Sequence, residues 1–320
     1  MTREGEPGAD FATREDSRRV AYEVTGAPDG FPVFLLHGTP GSRRGPKPRS
    51  IVLYRMGVRL IAYDRPGYGD SDRREGRDVA DAARDVEAIA DQLGVERFAV
   101  VGRSGGGPHA LACAADAELR GRVSRVAVLV SLAPWNAIEL DWVGGMNTGN
   151  VRGFGVGSPD TAAVVEEIRQ RAERAAADPR LLLADLRTEM SAADRRAVND
   201  PALRRLITDT YEEALRSGPY GWIDDVLAFR RNWAFDLKAI DTAVTPVRLW
   251  HGADDNFAPV SHGRWLAAQI PGAEMEVRPG AAHFDAVEEL PRILRWLVDP
   301  DPDPDPALST DLLIGARPGQ

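Results

Sequence analysis

Phe98-Ala99-Val100-Val101-Gly102-Arg103-Ser104-Gly105-Gly106-Gly107-Pro108-His109-Ala110 is the stretch on which the reading of this chain turns. Its first four residues form an apolar run too short for a helix and stopped by glycine, the pattern of a buried strand. Pro108 to Ala115 has the composition of a helix. A serine between close glycines at a strand-to-helix turn is forced into a tight, strained bend. Its neighbours must be small because adjacent backbone passes within contact distance. The bend lifts the hydroxyl above the sheet and aims a helix N-terminus at it. The five-residue pattern from Gly102 to Gly106 recurs by chance, and a glycine-rich turn with an idle serine is the plain alternative. The flanking strand and helix give it weight.

A serine hydroxyl is a poor nucleophile near neutral pH, so it needs a base, and the base needs an orienting acid. With a nucleophile at such a turn, the chain order is serine, acid, histidine. Of the five histidines, only His262 and His283 follow an acid at the end of a later strand. His283 lies in the small-residue loop Gly280-Ala281-Ala282-His283, after a strand at Ala273 to Val277 and before the last helix. His262 sits on a helix, seven residues beyond the acid loop, and is expected to point elsewhere. The acid lies in His251-Gly252-Ala253-Asp254-Asp255, after a strand at Val244 to Trp250. The residues alone do not choose between Asp254 and Asp255. An acyl-transfer intermediate also needs preplaced N–H donors. The amides of Gly105, beside Ser104, and of Thr39, in His37-Gly38-Thr39-Pro40 after the strand Phe31 to Leu36, are the candidates. His37 is read first as a prop for that loop and also as a substrate contact. Arg103, a large cation inside the bend, either reaches the pocket or faces solvent.

Around these motifs, strand signals at Val20 to Val24, Val58 to Tyr63 and Val123 to Leu132 alternate with a helical face between Asp78 and Leu93. That alternation predicts a mainly parallel sheet covered on both sides. From Trp135 to Asp236 strand signals stop and helical segments take over, among them Thr161 to Ala177, Pro201 to Arg216 and Trp222 to Trp233. The organisation expected is a flexible segment at 1–17, a core at 18–134 and 237–298, a helical insertion at 135–236 and an extended tail at 299–320. Proline at every second position of Asp299-Pro300-Asp301-Pro302 forbids helix. The apolar patch Leu312 to Ile314 lies in that tail.

Composition narrows the function classes. The 320 residues are 43% hydrophobic, enough for one sizeable core. With 40 basic against 49 acidic residues the formal charge is −9. An acidic balance offers no footprint for nucleic acid and does not favour anionic membranes. Cys113 is the single cysteine, so an intrachain disulfide and a thiolate metal cluster are excluded, and its alanine-rich setting reads as a buried helix face. The first ten residues lack the apolar core of a signal peptide, and no apolar run approaches the roughly 18 residues of a membrane span. A cytoplasmic protein is expected. Arginine dominance over lysine, with abundant Ala, Gly and Pro, reads as bacterial GC-rich coding.

Taken together these motifs resemble the α/β-hydrolase family over roughly residues 18–298. His37-Gly38-Thr39-Pro40 resembles its oxyanion loop, Asp64-Arg65-Pro66-Gly67-Tyr68-Gly69-Asp70-Ser71 its signature loop after the fourth strand, and Gly102 to Gly106 its nucleophile elbow. The loop from His251 resembles its acid loop, where the acid stands four residues after the histidine, which selects Asp255. The resemblance implies an α/β fold with a mainly parallel eight-stranded sheet, flanked by helices, and a helical cap at 135–236. It makes Trp135, Trp142, Trp222, Phe229 and Trp233 candidates to line the pocket. It implies no cofactor and no metal, a small-molecule partner, and esterase-like cleavage of a small, largely apolar ester, lactone or related acyl substrate. Carbon–carbon bond hydrolysis, lyase, perhydrolase or acyl-transfer chemistry with the same three residues is the alternative, and a non-catalytic binding protein a further one. Haloalkane dehalogenases and epoxide hydrolases carry Asp where Ser104 stands, and the Gly-Gly-Pro-Gly loop of prolyl iminopeptidases has no counterpart.

Overall fold

Short apolar runs broken by glycine or proline become the strands, and longer runs with polar caps become the helices. The computed structural model describes residues 9–155 and 160–299. The tail from Pro300 on, with Leu312 to Ile314, and the first eight residues lie outside the described residues. The strands are β1 (Asp10–Thr13), β2 (Arg19–Gly26), β3 (Phe31–Leu36), β4 (Val58–Tyr63), β5 (Phe98–Arg103), β6 (Val123–Leu129), β7 (Val247–Gly252) and β8 (Glu274–Arg278). The helices are α1 (Ser50–Arg55), α2 (Ala82–Gln92), α3 (Gly106–Ala115), α4 (Thr148–Gly153), α5 (Thr161–Ala177), α6 (Pro179–Glu189), α7 (Ala192–Ala197), α8 (Pro201–Ala214), α9 (Tyr220–Phe229), α10 (Val260–Gln269) and α11 (Ala286–Val298).

One eight-stranded sheet runs in the order β1-β2-β4-β3-β5-β6-β7-β8. Strand β2 is antiparallel to β1 and β4, and every pairing from β4 through β8 is parallel. Alternation within the strands sorts their side chains to two cores. Phe34, Leu36, Phe98 and Val100 pack with α2 and α3 on one face; Val33, Leu35, Ala99 and Val101 pack with α1 and α11 on the other. On α11, Leu290, Ile293, Leu294 and Leu297 are almost wholly buried, and each such side chain contributes about 1.5–3 kcal/mol. Cys113 is buried on α3, and burial pushes its thiol pKa up.

Strand β3 lies between β4 and β5, so the chain leaves it to opposite sides. Such a switch point opens a crevice beyond the carboxyl ends of the strands. Helices α4 to α9 fall between β6 and β7. Capping side chains start five of them: Asn147, Asp160, Asp178, Ser191 and Asp200 accept from backbone amides of α4, α5, α6, α7 and α8. Pro179 and Pro201 stand where a helix needs no N–H.

Two expectations need correction. Residues 10–13 are not a loose lead-in but an edge strand, paired from Asp10 with Tyr22 to Thr13 with Arg19; four residues are too few to show a periodicity. The strands expected at Val123 to Leu132 and Val244 to Trp250 are shorter, because Val130 turns to a positive φ of 46° and Val244 is exposed. Among the described residues no helix is long and apolar enough to cross a membrane, and no group of three or more His, Cys, Asp or Glu is placed to hold a metal ion.

Candidate active site

Ser104 occupies the two-residue turn between β5 and α3, with φ at 55°. An L-residue in that left-handed region is strained by about 1–3 kcal/mol and persists only where the surroundings hold it. They do so from both sides: the Ser104 amide donates to Leu129 O at 2.8 Å, and the Gly107 amide donates to Ser104 O at 2.9 Å. Gly106 is required by close approach, since a side chain there would strike the Leu36 carbonyl of β3.

Asp255 and His283 come from the loops after β7 and β8. His283 Nδ1 is 2.9 Å from Asp255 Oδ2, and both residues are buried. The other carboxylate oxygen accepts from the Phe257 amide at 2.8 Å and the Ala258 amide at 3.0 Å. Burial alone would raise the Asp255 pKa; the His283 charge and the hydrogen bonds of His251 and His283 more than offset it and hold the carboxyl well below the usual carboxylate range. Asp254 is exposed. His262 faces away, with Nδ1 accepting from the Ala133 amide and Nε2 donating to Trp142 O.

Ser104, His283, Thr39 and Gly105 line one cavity of about 100 Å³. No hydrogen bond joins Ser104 to His283 among the described residues. Thr39 and Gly105 pack so closely that a side chain at Gly105 would strike Thr39 Oγ1. Among the described residues neither the Thr39 amide nor the Gly105 amide donates within the chain. Two unspent N–H groups thus flank Ser104, one of them at the N-terminus of α3. His37 lines the cavity, but its ring is spent on backbone: Nδ1 donates to Gly38 O at 2.7 Å and Nε2 accepts from the Arg65 amide at 3.2 Å. Burial, with Arg65 nearby, holds its pKa well below normal, so it props the loop as a neutral ring.

The model of the alpha/beta hydrolase fold matches residues 32–290. The chain belongs to the α/β-hydrolase family. A non-heme chloroperoxidase of Burkholderia pyrrocinia is 25% identical over 278 residues, 85% of this chain and 92% of that one. A 2-hydroxymuconate semialdehyde hydrolase of Pseudomonas putida is 28% identical over 278 residues, 83% and 85% of the two chains. Among solved structures, a bromoperoxidase from Bacillus anthracis aligns with a TM-score of 0.65 at 23% identity, covering 90% of this chain and 96% of that one. An esterase from a Rhodococcus species aligns at 0.61 and 24%, with the same coverage. The structural likenesses speak for the fold alone.

Within this α/β hydrolase the aromatic candidates divide. Trp222 and Phe229 line the cavity. Trp135, Trp142 and Trp233 do not, which corrects the expectation for those three. Trp142 donates its indole N–H to Ala133 O and packs on Trp135, Phe154 and His262; Trp233 is buried against Phe235. Trp135 packs on Trp142 and lies under the Arg230 guanidinium. Arg103, left open in sequence, lines the cavity.

Sequence reading missed Asp225 of α9. It is fully buried and accepts from Thr39 Oγ1 at 2.5 Å, Tyr68 OH at 2.9 Å, Arg77 Nη2 at 2.6 Å and Arg65 Nη2 at 2.6 Å. Arg65 in turn donates to the His37 and Gly38 carbonyls. Burial would raise the Asp225 pKa, but the Arg65 and Arg77 charges override it and hold the carboxyl well below normal. Arg65 and Tyr68 were legible within the signature loop; Asp225, on an apolar helix with no motif, was not.

Proposed function

We propose that this protein is an esterase-like serine hydrolase that cleaves a small, largely apolar ester, lactone or related acyl substrate through an acyl-enzyme. Ser104 attacks the carbonyl. His283 takes its proton and later gives one to the leaving group, while Asp255 fixes the imidazole tautomer and stabilises its charged form. The Thr39 and Gly105 amides receive the negative charge that develops on the carbonyl oxygen. Water then cleaves the acyl-enzyme with the same base. Helices of the 135–236 insertion act as a cap that shapes the pocket. The observation that carries the reading is the shared cavity: a strained serine, an Asp255-held histidine and two undonated amides line it together. The open Ser104–His283 gap is compatible with it, because catalytic hydrogen bonds are often long in free enzymes and tighten around substrate.

The test is labelling with a fluorophosphonate probe, mapped by peptide mass spectrometry, together with nitrophenol release from short p-nitrophenyl esters. Label at Ser104 and ester turnover are expected. Ser104→Ala should remove the label and lower kcat on the order of 10³-fold or more. Failure of Ser104 to label overturns the reading. The haloperoxidase names among the relatives favour one second reading, transfer of the acyl group to hydrogen peroxide, which forms a peracid and releases the enzyme. Peracid formation from acetate and peroxide, outpacing ester hydrolysis, would select it.

A further inference from the structure

Arg103 is covalently next to Ser104, yet among the described residues its guanidinium makes no hydrogen bond or ion pair. Its Nη1 is shielded from solvent without a hydrogen bond. Among the described residues no carboxylate comes within ion-pair range of it. The titratable groups facing it are Tyr211 of α8, Asp194 of α7 and Asp255. Asp255 is committed to His283 and its own loop, and Asp194 gives one oxygen to the Phe284 amide. The buried arginines are treated differently from this half-buried one: Arg43, Arg65 and Arg77 are each paired with a carboxylate. A guanidinium does not shed its proton, and leaving part of one shielded from water and unmatched is unfavourable.

The cavity wall repeats the asymmetry. In a chain with 49 acidic and 40 basic residues, the lining holds Arg103 and Arg171 and no aspartate or glutamate. Arg171 of α5 donates to Gly149 O at 3.1 Å and lies over the Trp222 ring. Tyr211 also lines the cavity, and among the described residues its hydroxyl makes no hydrogen bond. The remaining lining is largely apolar, with Phe154, Ile168, Leu182 and Phe229 among it.

We propose that the substrate carries a carboxylate, which Arg103 binds with the Tyr211 hydroxyl as a second donor, while the scissile carbonyl sits at Ser104. A planar carboxylate matches the guanidinium fork, and such charged hydrogen bonds are the strong ones. This deepens the hydrolase reading and rests on it: the substrate is an ester with an apolar body and one anionic end.

The experiment compares matched esters. Monomethyl adipate is set against methyl hexanoate for an anion on the acyl side, and 4-acetoxybutanoate against butyl acetate for one on the alcohol side. In the wild type, one anionic ester should exceed its neutral partner by about 10- to 100-fold in kcat/KM. In Arg103→Met that ratio should collapse, chiefly through a higher KM for the anionic ester, and Tyr211→Phe should lower it less. A wild-type preference for the neutral ester in both series, or an unchanged ratio in Arg103→Met, overturns the proposal. Should Arg103→Met not fold, the wild-type ratios and Arg103→Lys decide it. Where none of the four esters is cleaved, calorimetry with adipate decides separately from the hydrolase reading. Binding that Arg103→Met loses sustains the anion site; no binding to the wild type ends it.

Discussion

Two buried polar regions flank the corner where Thr39 meets Ser104, and the chain treats them in opposite ways. On one side Asp225 is saturated by Thr39, Arg65, Tyr68 and Arg77. On the other, Arg103 Nη1 and Asp194 Oδ2 are buried without hydrogen-bond partners. Desolvation is costly in both places. In the first the carboxylate's cost is met inside the chain by four donors, which ties the loop of Thr39 to α9, while Arg77 Nε and His109 Nε2 beside it make no hydrogen bond among the described residues. In the second it is left standing, which is what a ligand site and a titrating group require. Between Asp225 and Asp194, both fully buried, satisfaction more than burial makes the difference.

The sharpest way to break this contrast is to empty the saturated side. Asp225→Ala leaves two guanidiniums buried beside no anion. Urea unfolding is expected to show a loss of about 3–5 kcal/mol, the cost of breaking a buried pair by removing one partner. A loss below about 1 kcal/mol would mean that Arg65 and Arg77 find other partners, and the framework role would fail.

The unsatisfied side should respond to pH instead. Burial pushes the Asp194 pKa up to about 7 from a usual 3.8, with the Phe284 amide pulling against it and Asp255 adding to it. A raised carboxyl pKa means that the folded state holds the proton more tightly than the unfolded chain. Between about pH 4 and 7 the native state then binds more protons, and this group's contribution to stability falls as pH rises. Asp255 has the opposite sign: its depressed pKa makes stability fall as pH drops below the ordinary carboxylate range. Asp194→Asn keeps an acceptor for the Phe284 amide and removes the titration. Relative to the variant, the wild type should lose about 1–2 kcal/mol between pH 5 and 7. Urea midpoints for both proteins at pH 5, 6, 7 and 8 measure it, and parallel curves would remove Asp194 as a titrating group.

The difference between the regions also explains what the sequence could disclose. Ser104, Asp255 and His283 sit in short loops at strand ends, where glycines and small residues advertise backbone constraints. β3 and β4 were legible to the residue because short, sharply bounded apolar runs suit buried strands. Choosing Asp255 over Asp254 needed the family spacing, since two adjacent aspartates look alike locally. Asp225 and Asp194 stayed hidden because each lies on a helix of the insertion and gains its meaning from residues far along the chain: Thr39 for one, Phe284 for the other. The tryptophans erred for a related reason. A cluster of aromatics marks packing without saying which members face the cavity: Trp142, in a turn before α4, packs on Trp135, Phe154 and His262, while Trp222 of α9 lines the cavity.

The smallest change tests whether the saturated side also positions chemistry. Thr39→Val keeps the shape and removes one hydroxyl. Asp225 retains Arg65, Arg77 and Tyr68, so stability should fall by about 1–2 kcal/mol, the net worth of the two hydrogen bonds the hydroxyl makes, one given to Asp225 and one accepted from Arg65. Under the proposed mechanism, however, the Thr39 amide loses the side-chain anchor that holds its loop. Since deleting an oxyanion donor outright costs on the order of 10²–10³ in kcat, a mis-aimed one should cost about tenfold. Chemistry would then suffer while folding barely changes. Steady-state kinetics on a cleaved ester, beside urea unfolding of the same preparation, separates the two effects. An unaltered kcat with reduced stability would confine the Asp225 cluster to holding α9 against the sheet.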